Sequence, residues 1–94
     1  MDFDWDEGNR DKNLRHGVHD WEIEEGVLDQ HSFVDSAVER EGEERFVLLG
    51  RSETSGKYLR IVYTLRAQQG EQFLRPISAV EMTFTQRRRY RQRL

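Results

Sequence analysis

Between Tyr58 and Arg66 the side chains alternate as only an extended strand can use. Leu59, Ile61, Tyr63 and Leu65 fall on one face, and Tyr58, Arg60, Val62, Thr64 and Arg66 on the other. The first face is apolar enough to enter a core; the second carries two guanidinium groups. The flanking segments supply strand partners. Phe33–Val38 reads as a weak first strand, Glu41-Gly42-Glu43 as a turn, and Arg45–Arg51 as a strand alternating around Phe46 and Leu48. Ser52–Lys57 is a loop, Gln68-Gln69-Gly70-Glu71 a hairpin turn, and Gln72–Ala79 the return strand. Pro76 lacks a ladder donor, so it calls for an edge position or a bulge.

The N-terminal third has a different rhythm. Phe3 and Trp5 alternate with Asp2, Asp4 and Asp6, the signature of a short half-buried strand. Asp6 can cap a helix running to about Arg15, with Gly17 in the left-handed position beyond its end. That helix has Leu14 as its one clear apolar residue. Asp20 can cap a second helix over Trp21–Leu28, in which Trp21, Ile23, Val27 and Leu28 form an apolar stripe interrupted by Gly26. At the other end, Thr83-Phe84-Thr85-Gln86 fits a capping box that opens a helix through Arg87–Arg93. The fold class expected is α+β: a small antiparallel β-sheet with two N-terminal helices and one C-terminal helix.

Size keeps this to a single domain over residues 1–94, because a second core would not fit. Hydrophobic and charged residues each make up 35% of the chain, so the core is thin and leans on its five Phe, two Trp and three Tyr. With no cysteine there is no disulfide framework and no thiolate chemistry, which fits a reducing compartment. The longest apolar run, Phe46-Val47-Leu48-Leu49, is far too short to span a membrane. The acidic start Met1-Asp2-Phe3-Asp4 lacks the order of a signal peptide. A cytoplasmic protein is expected.

The net charge of −3 conceals a division. Residues 1–44 hold 15 acidic and 4 basic side chains, whereas residues 45–94 hold 3 acidic and 11 basic. Such a chain either presents a basic face to phosphates and an acidic face to a basic partner, or packs its halves together and neutralises them.

The arginines dominate the candidate chemistry. Arg60 and Arg66 share one face of the central strand, Arg45 and Arg51 one face of the strand before it, and Arg75 lies on the return strand. Guanidinium groups make bidentate, permanently charged contacts to phosphate, so together they can cradle a polyanion; alternating charges on an antiparallel sheet can equally form a solvated outer face. In the tail Gln86–Arg93, Tyr90 is either a base-stacking surface or a core anchor. The histidines are His16, His19 and His31, and nothing about their spacing is ligand-like, so no metal and no cofactor are expected. His16 is a candidate general base, with a side chain that titrates near neutrality. Glu43-Glu44-Arg45 sets carboxylates beside a guanidinium, as an orienting ion pair or a catalytic pair. Neither a Gly-rich phosphate loop nor a Gly-x-Ser-x-Gly elbow is present.

The order of several local strings resembles the BrnT family of toxins from type II toxin–antitoxin systems, whose fold is a RelE-like ribonuclease fold. The resemblance runs nearly end to end. It passes through Phe3-Asp4-Trp5-Asp6, Lys12-Asn13, His16-Gly17-Val18, Gly42-Glu43-Glu44-Arg45-Phe46 and Leu49-Gly50-Arg51. It continues through Val62-Tyr63-Thr64-Leu65-Arg66, Ile77-Ser78-Ala79, Met82-Thr83 and Arg87-Arg88-Arg89-Tyr90. The resemblance implies a metal-independent endoribonuclease that binds RNA and is neutralised by a cognate BrnA-like antitoxin in a hetero-oligomer. DNA would be met only indirectly, through that antitoxin.

Position by position, the resemblance implies Glu44 and Arg66 as the most site-like residues, with Lys12 and His16 as base or electrostatic contributors. Arg45, Arg51, Arg75 and Arg88 are the implied phosphate contacts. Three departures from the family pattern stand out. Leu14-Arg15-His16-Gly17 replaces the usual Lys-His-Gly, Val80 stands where an arginine usually follows Ile-Ser-Ala, and Gln86 replaces a glutamate. Losing a phosphate-stabilising cation can cost a hundred-fold in rate or more. The departures therefore admit a second reading: a weakened or inactive toxin homologue that serves as an antitoxin-binding co-repressor or RNA-binding domain.

Overall fold

The computed structural model describes all of residues 1–94. One five-stranded sheet has the order β1-β5-β4-β3-β2, with β1 Asp2–Phe3, β2 Phe33–Arg40, β3 Glu43–Arg51, β4 Tyr58–Gln68 and β5 Glu71–Glu81. Strands β2 to β5 form an antiparallel meander. Two-residue loops close its outer hairpins: Glu41-Gly42 (φ 54° and 77°) and Gln69-Gly70 (φ 52° and 82°). Positive φ at both loop positions matches the twist of paired strands, and glycine takes the second without strain.

The sheet is mixed rather than purely antiparallel. β1 runs parallel to β5, pairing Asp2 with Phe73 and Phe3 with Leu74. No hairpin joins these two strands, so nothing forces them antiparallel; the chain leaves β1 along the outer edge of β5 and in the same direction.

The helices also differ from expectation: there is one N-terminal α-helix, α1 (Asp20–Leu28), and one C-terminal, α2 (Phe84–Gln92). Where a helix Asp6–Arg15 was expected, turns lead into a 3₁₀ helix, Lys12–His16. Leu14 is 45% exposed, so this segment has no apolar stripe whose burial would drive an α-helix. Its buried amides instead serve the sheet edge. The Asn9 amide donates to the Asp4 and Pro76 carbonyls at 2.9 and 3.0 Å, and the Asn13 side chain accepts from the Ala79 N–H at 3.0 Å. These side chains cap an edge that β1 leaves unpaired beyond Leu74. A register shift against β4 accompanies Pro76, which faces Tyr63 while Ser78 faces Val62.

α1 packs on the apolar side of the sheet, where Val18, Ile23, Leu48, Leu59, Ile61, Tyr63, Leu74 and Ala79 form the core. Its inward face is Glu22, Ile23 and Gly26; Trp21 and Leu28 point outward, because residues seven apart share a face and that face is away from the sheet. α2 lies across the other side of the sheet at the Tyr58 end, with its Tyr90 ring edge-on to Tyr58 at 5.6 Å. The Thr83–Gln86 capping box forms as expected: the Thr83 hydroxyl accepts from the Gln86 N–H and the Gln86 side chain from the Thr83 N–H.

Candidate functional site

Strand parity decides which charges meet. On the side of the sheet away from α1, β4 presents Tyr58, Arg60, Val62, Thr64 and Arg66, and β3 presents Glu43, Arg45, Val47, Leu49 and Arg51. α2 covers the Tyr58 end and reaches β2, where Arg89 pairs with Asp35 and Arg93 lies over the Phe33 ring; Leu49 and Val47 are buried, and the end that carries Glu43, Arg45 and Arg66 is exposed.

At the open end, Glu43 stands between two guanidiniums. Arg45 Nε donates to Glu43 Oε1 at 3.3 Å, and Arg66 Nη2 donates to Glu43 Oε2 at 3.2 Å. The three side chains are 30 to 49% exposed, which leaves donor positions on both arginines free for a ligand. The cluster borders a concavity of about 510 Å³ lined by Glu43, Glu44, Phe46, Thr64, Arg66 and Gln72 among others. Beside it the buried Thr64 hydroxyl donates to the Glu44 carbonyl at 2.8 Å, fixing the local register of β3 against β4. Two fixed cations on either side of a carboxylate can hold phosphate oxygens while the carboxylate takes up a proton.

Arg45 and Arg66 are thus brought together, and Glu43, not singled out above Glu44 by the sequence, joins them. Glu44 is one residue out of phase, and its side chain belongs to the face that carries Phe46 and Leu48. The missed signal is simple parity: Glu43 lies two residues before Arg45 and so shares its face.

Of the other expected residues, Arg75 lies opposite Thr64 on this same face, and the rest are dispersed. Arg51 is at the far end of β3, where its N–H donates to Asp29 Oδ2 at 2.8 Å and its guanidinium lies 5.6 Å from the centre of the Tyr58 ring. Arg75 is clamped by Asp6 at 2.9 Å and Asp4 at 3.4 Å, and its side chain is only 17% exposed. Lys12 and His16 occupy the 3₁₀ helix flanking β5, with His16 Nδ1 placed 3.2 Å from the Ala79 carbonyl. Arg88 is exposed on α2. Val80 lies directly across from Arg60 on the open face, and Arg60 has no carboxylate within ion-pair distance.

Around Tyr58 the electrostatics change. Arg87, Arg91 and Arg51 lie 4.3, 5.3 and 5.6 Å from the centre of its ring. A hydrogen bond from Arg91 at 3.3 Å, helped by the three positive charges, holds the Tyr58 hydroxyl below the usual tyrosine range despite partial burial. Tyr90 is a buried anchor rather than a stacking surface, and its hydroxyl donates to Asp29. Burial first, then the Asp29 carboxylate, pushes its ionisation upward. Nowhere do three histidine or carboxylate side chains converge as metal ligands.

The model of the ribonuclease toxin BrnT of type II toxin–antitoxin systems matches residues 5–85. The chain belongs to the BrnT toxin family. No individual curated protein matches it. The match takes in β2 to β5, α1 and the whole Glu43–Arg45–Arg66 cluster, and ends as α2 begins, so Arg87–Arg93 lie beyond it. Membership in the BrnT family implies RNA as substrate and a protein antitoxin as partner. No helix is long and apolar enough to cross a membrane.

Proposed function

We propose that this BrnT-family chain is a metal-independent endoribonuclease whose reaction centre is the Glu43–Arg45–Arg66 cluster, held in check by a BrnA-like antitoxin that covers the open face. What carries the reading is the position of one carboxylate between two guanidiniums on the exposed side of the sheet. In RNA the neighbouring 2′-hydroxyl is itself a nucleophile. As its oxygen bonds to phosphorus, the 2′ proton passes to Glu43 and the bond to the 5′ oxygen breaks. That leaving oxygen takes a proton from water, giving a cyclic phosphate and a free 5′-hydroxyl. Arg66 and Arg45 neutralise the charge that builds on the non-bridging oxygens. Arg60, across from Val80, supplies a cation on the face where the usual arginine is replaced. Lys12, His16 and Arg51 stand apart from this centre; Glu44 borders the same concavity from the other face, and Arg75, opposite Thr64, is occupied by Asp4 and Asp6.

A second reading, that of an antitoxin-binding homologue without cleavage, draws on Val80 and on Gln86, whose side chain is committed to the helix cap. The same assay separates the two. Purified chain is incubated with single-stranded RNA in the presence of a metal chelator. Wild type is expected to cut, Arg66→Ala to lose a hundred- to a thousand-fold in rate, and Glu43→Gln about a hundred-fold or more, while Glu44→Gln stays near wild type. Cleavage that survives Glu43→Gln but not Glu44→Gln would move the centre to the other face of the sheet. A stably folded wild type that binds its antitoxin yet leaves RNA intact would establish the second reading.

A further inference from the structure

The outer surface of α2 takes no part in the cluster just described. Phe84, its first residue, is 81% exposed, the most exposed large hydrophobic side chain of the chain. Arg87, Arg88 and Arg91 follow at the three-, four- and seven-residue spacings that put side chains on one helix face. With Gln92 they line a concavity of about 470 Å³, a size in the range of small-ligand sites. A second hollow shares Arg87 and leads to Lys57, Tyr58 and Met82 at the covered end of the open face.

Arg87 and Arg91 lean on the Tyr58 ring, but none of these cations is neutralised by an acid. None of the three has a carboxylate within ion-pair distance; on α2 only Arg89 does, with Asp35 at 2.6 Å. Residues 84–94 contain no acidic side chain, so no carboxylate within the helix can balance its arginines. Like charges four apart, as in Arg87 and Arg91, repel until an anion arrives. An exposed aromatic ring among such cations suits a ligand that is both planar and anionic. A single-stranded nucleic acid is that ligand: its bases offer π-faces and its backbone offers one phosphate per nucleotide.

We propose that Phe84, Arg87, Arg88 and Arg91 form an accessory subsite for single-stranded RNA, in which an unpaired base stacks on Phe84 and the guanidiniums hold the phosphates beside it. This rests on the reading that RNA is the substrate, and it deepens that reading by extending the bound strand well away from the reaction centre. Arg66 and Tyr58 are separated by about 26 Å of strand β4. The substrate is then a segment several nucleotides long with unpaired bases, rather than a duplex or a dinucleotide.

The test is equilibrium binding of a fluorescein-labelled 2′-O-methyl RNA, which cannot be cut because its nucleophile is blocked. Phe84→Ala is expected to weaken binding about 5- to 150-fold at fixed salt, and Phe84→Trp to retain it. Arg88→Ala is expected to lower the slope of log Kd against log salt by about 0.7. Phe84 is exposed and outside the core, so circular dichroism of its variants should match wild type. Unchanged affinity of Phe84→Ala overturns the subsite. So does a Phe84→Ala variant that keeps RNA affinity but loses antitoxin affinity, since the patch then belongs to the protein partner. A wild type that neither binds the probe nor cleaves RNA sinks both readings. Full cleavage by Arg66→Ala together with weakened binding by Phe84→Ala would remove the reaction centre and leave the subsite standing.

Discussion

Tyr58, Tyr63 and Tyr90 sit in three different electrostatic settings, and each setting has an observable consequence. Tyr58 accepts a hydrogen bond from Arg91 and faces two further guanidiniums, so its phenolate is favoured. Tyr63 is buried in the core with its ring stacked on Phe46 at 5.2 Å, and burial alone raises its ionisation. Tyr90 is raised further, by burial and then by its bond to Asp29. An ultraviolet titration of the folded protein is expected to show one tyrosine ionising below the usual range and two above it. The early phase should vanish in Tyr58→Phe and persist in Tyr90→Phe; an early phase that survives Tyr58→Phe would show that the arginines do not act on this ring.

At the scale of elements, the seating of α1 governs the fold. Gly50 on β3 lies under Gly26 of the helix so closely that a Cβ on Gly50 would stand 2.0 Å from the Gly26 carbonyl oxygen. A backbone atom cannot yield, so Gly50→Ala should cost about 3 kcal/mol or more, read as a lower urea midpoint. Gly26→Ala is the contrasting case. Its Cβ would meet Ile61 Cδ1 at 2.9 Å, a side-chain end that can rotate, and the gain of about 1 kcal/mol in helix propensity offsets the crowding. The two alanine variants should therefore differ in stability by several fold more than either assay error.

The same helix is tied by two carboxylates. Glu22, buried, accepts from the His19 N–H at 2.9 Å and pairs with Lys57 at 3.1 Å. Its burial acts to raise its pKa, but the His19 amide, the Ser55 hydroxyl and the Lys57 ammonium together leave it lowered from 4.5. Glu25 receives the Thr54 hydroxyl and N–H at 2.6 and 2.9 Å and the Ser52 hydroxyl at 2.7 Å, and is lowered by them. A carboxylate whose folded pKa is depressed adds stability above its unfolded pKa and loses it as pH falls through the folded value. Stability should thus decline below about pH 4.5, and Glu22→Gln should flatten that acid limb in urea titrations at successive pH values.

For the molecule as a whole, packing cancels part of the charge division along the chain and leaves part of it as unpaired cations. Every ion pair joins an anion from residues 1–44 to a cation from residues 45–94: Asp4 and Asp6 with Arg75, Glu22 with Lys57, Asp35 with Arg89, and Glu43 with Arg45 and Arg66. Packing therefore neutralises part of the basic half. Arg51, Arg60, Arg87, Arg88, Arg91 and Arg93 remain without carboxylates, all on or beside the sheet side away from α1. If RNA engages Arg45, Arg60, Arg66, Arg87, Arg88 and Arg91, log affinity should fall against log salt with a slope of about −4. A slope near zero in filter-binding or anisotropy titrations would mean that phosphates do not contact this side.

Local chemistry made most of the sheet legible. The hairpins at Glu41-Gly42 and Gln69-Gly70, the alternation through Tyr58–Arg66, the anomaly at Pro76 and the Thr83–Gln86 cap each depend on neighbours within a few residues, and each is found in the structure. Whatever depended on distant partners was not legible. Asn9 and Asn13 abandon a helix for carbonyls and amides of β5 that lie 66 or 67 positions away. By contrast, the face on which Arg45 and Arg66 lie follows from sequence parity. Which glutamate reaches Arg66 follows from the register between β3 and β4, which their pairing fixes across a six-residue loop. Hydrophobic alternation and turn residues act over a few bonds and so are written into the chain. The meeting of Glu43 with Arg66, and the absence of carboxylates beside Arg87, Arg88 and Arg91, arise from three-dimensional packing, where charges far apart in sequence become neighbours in space.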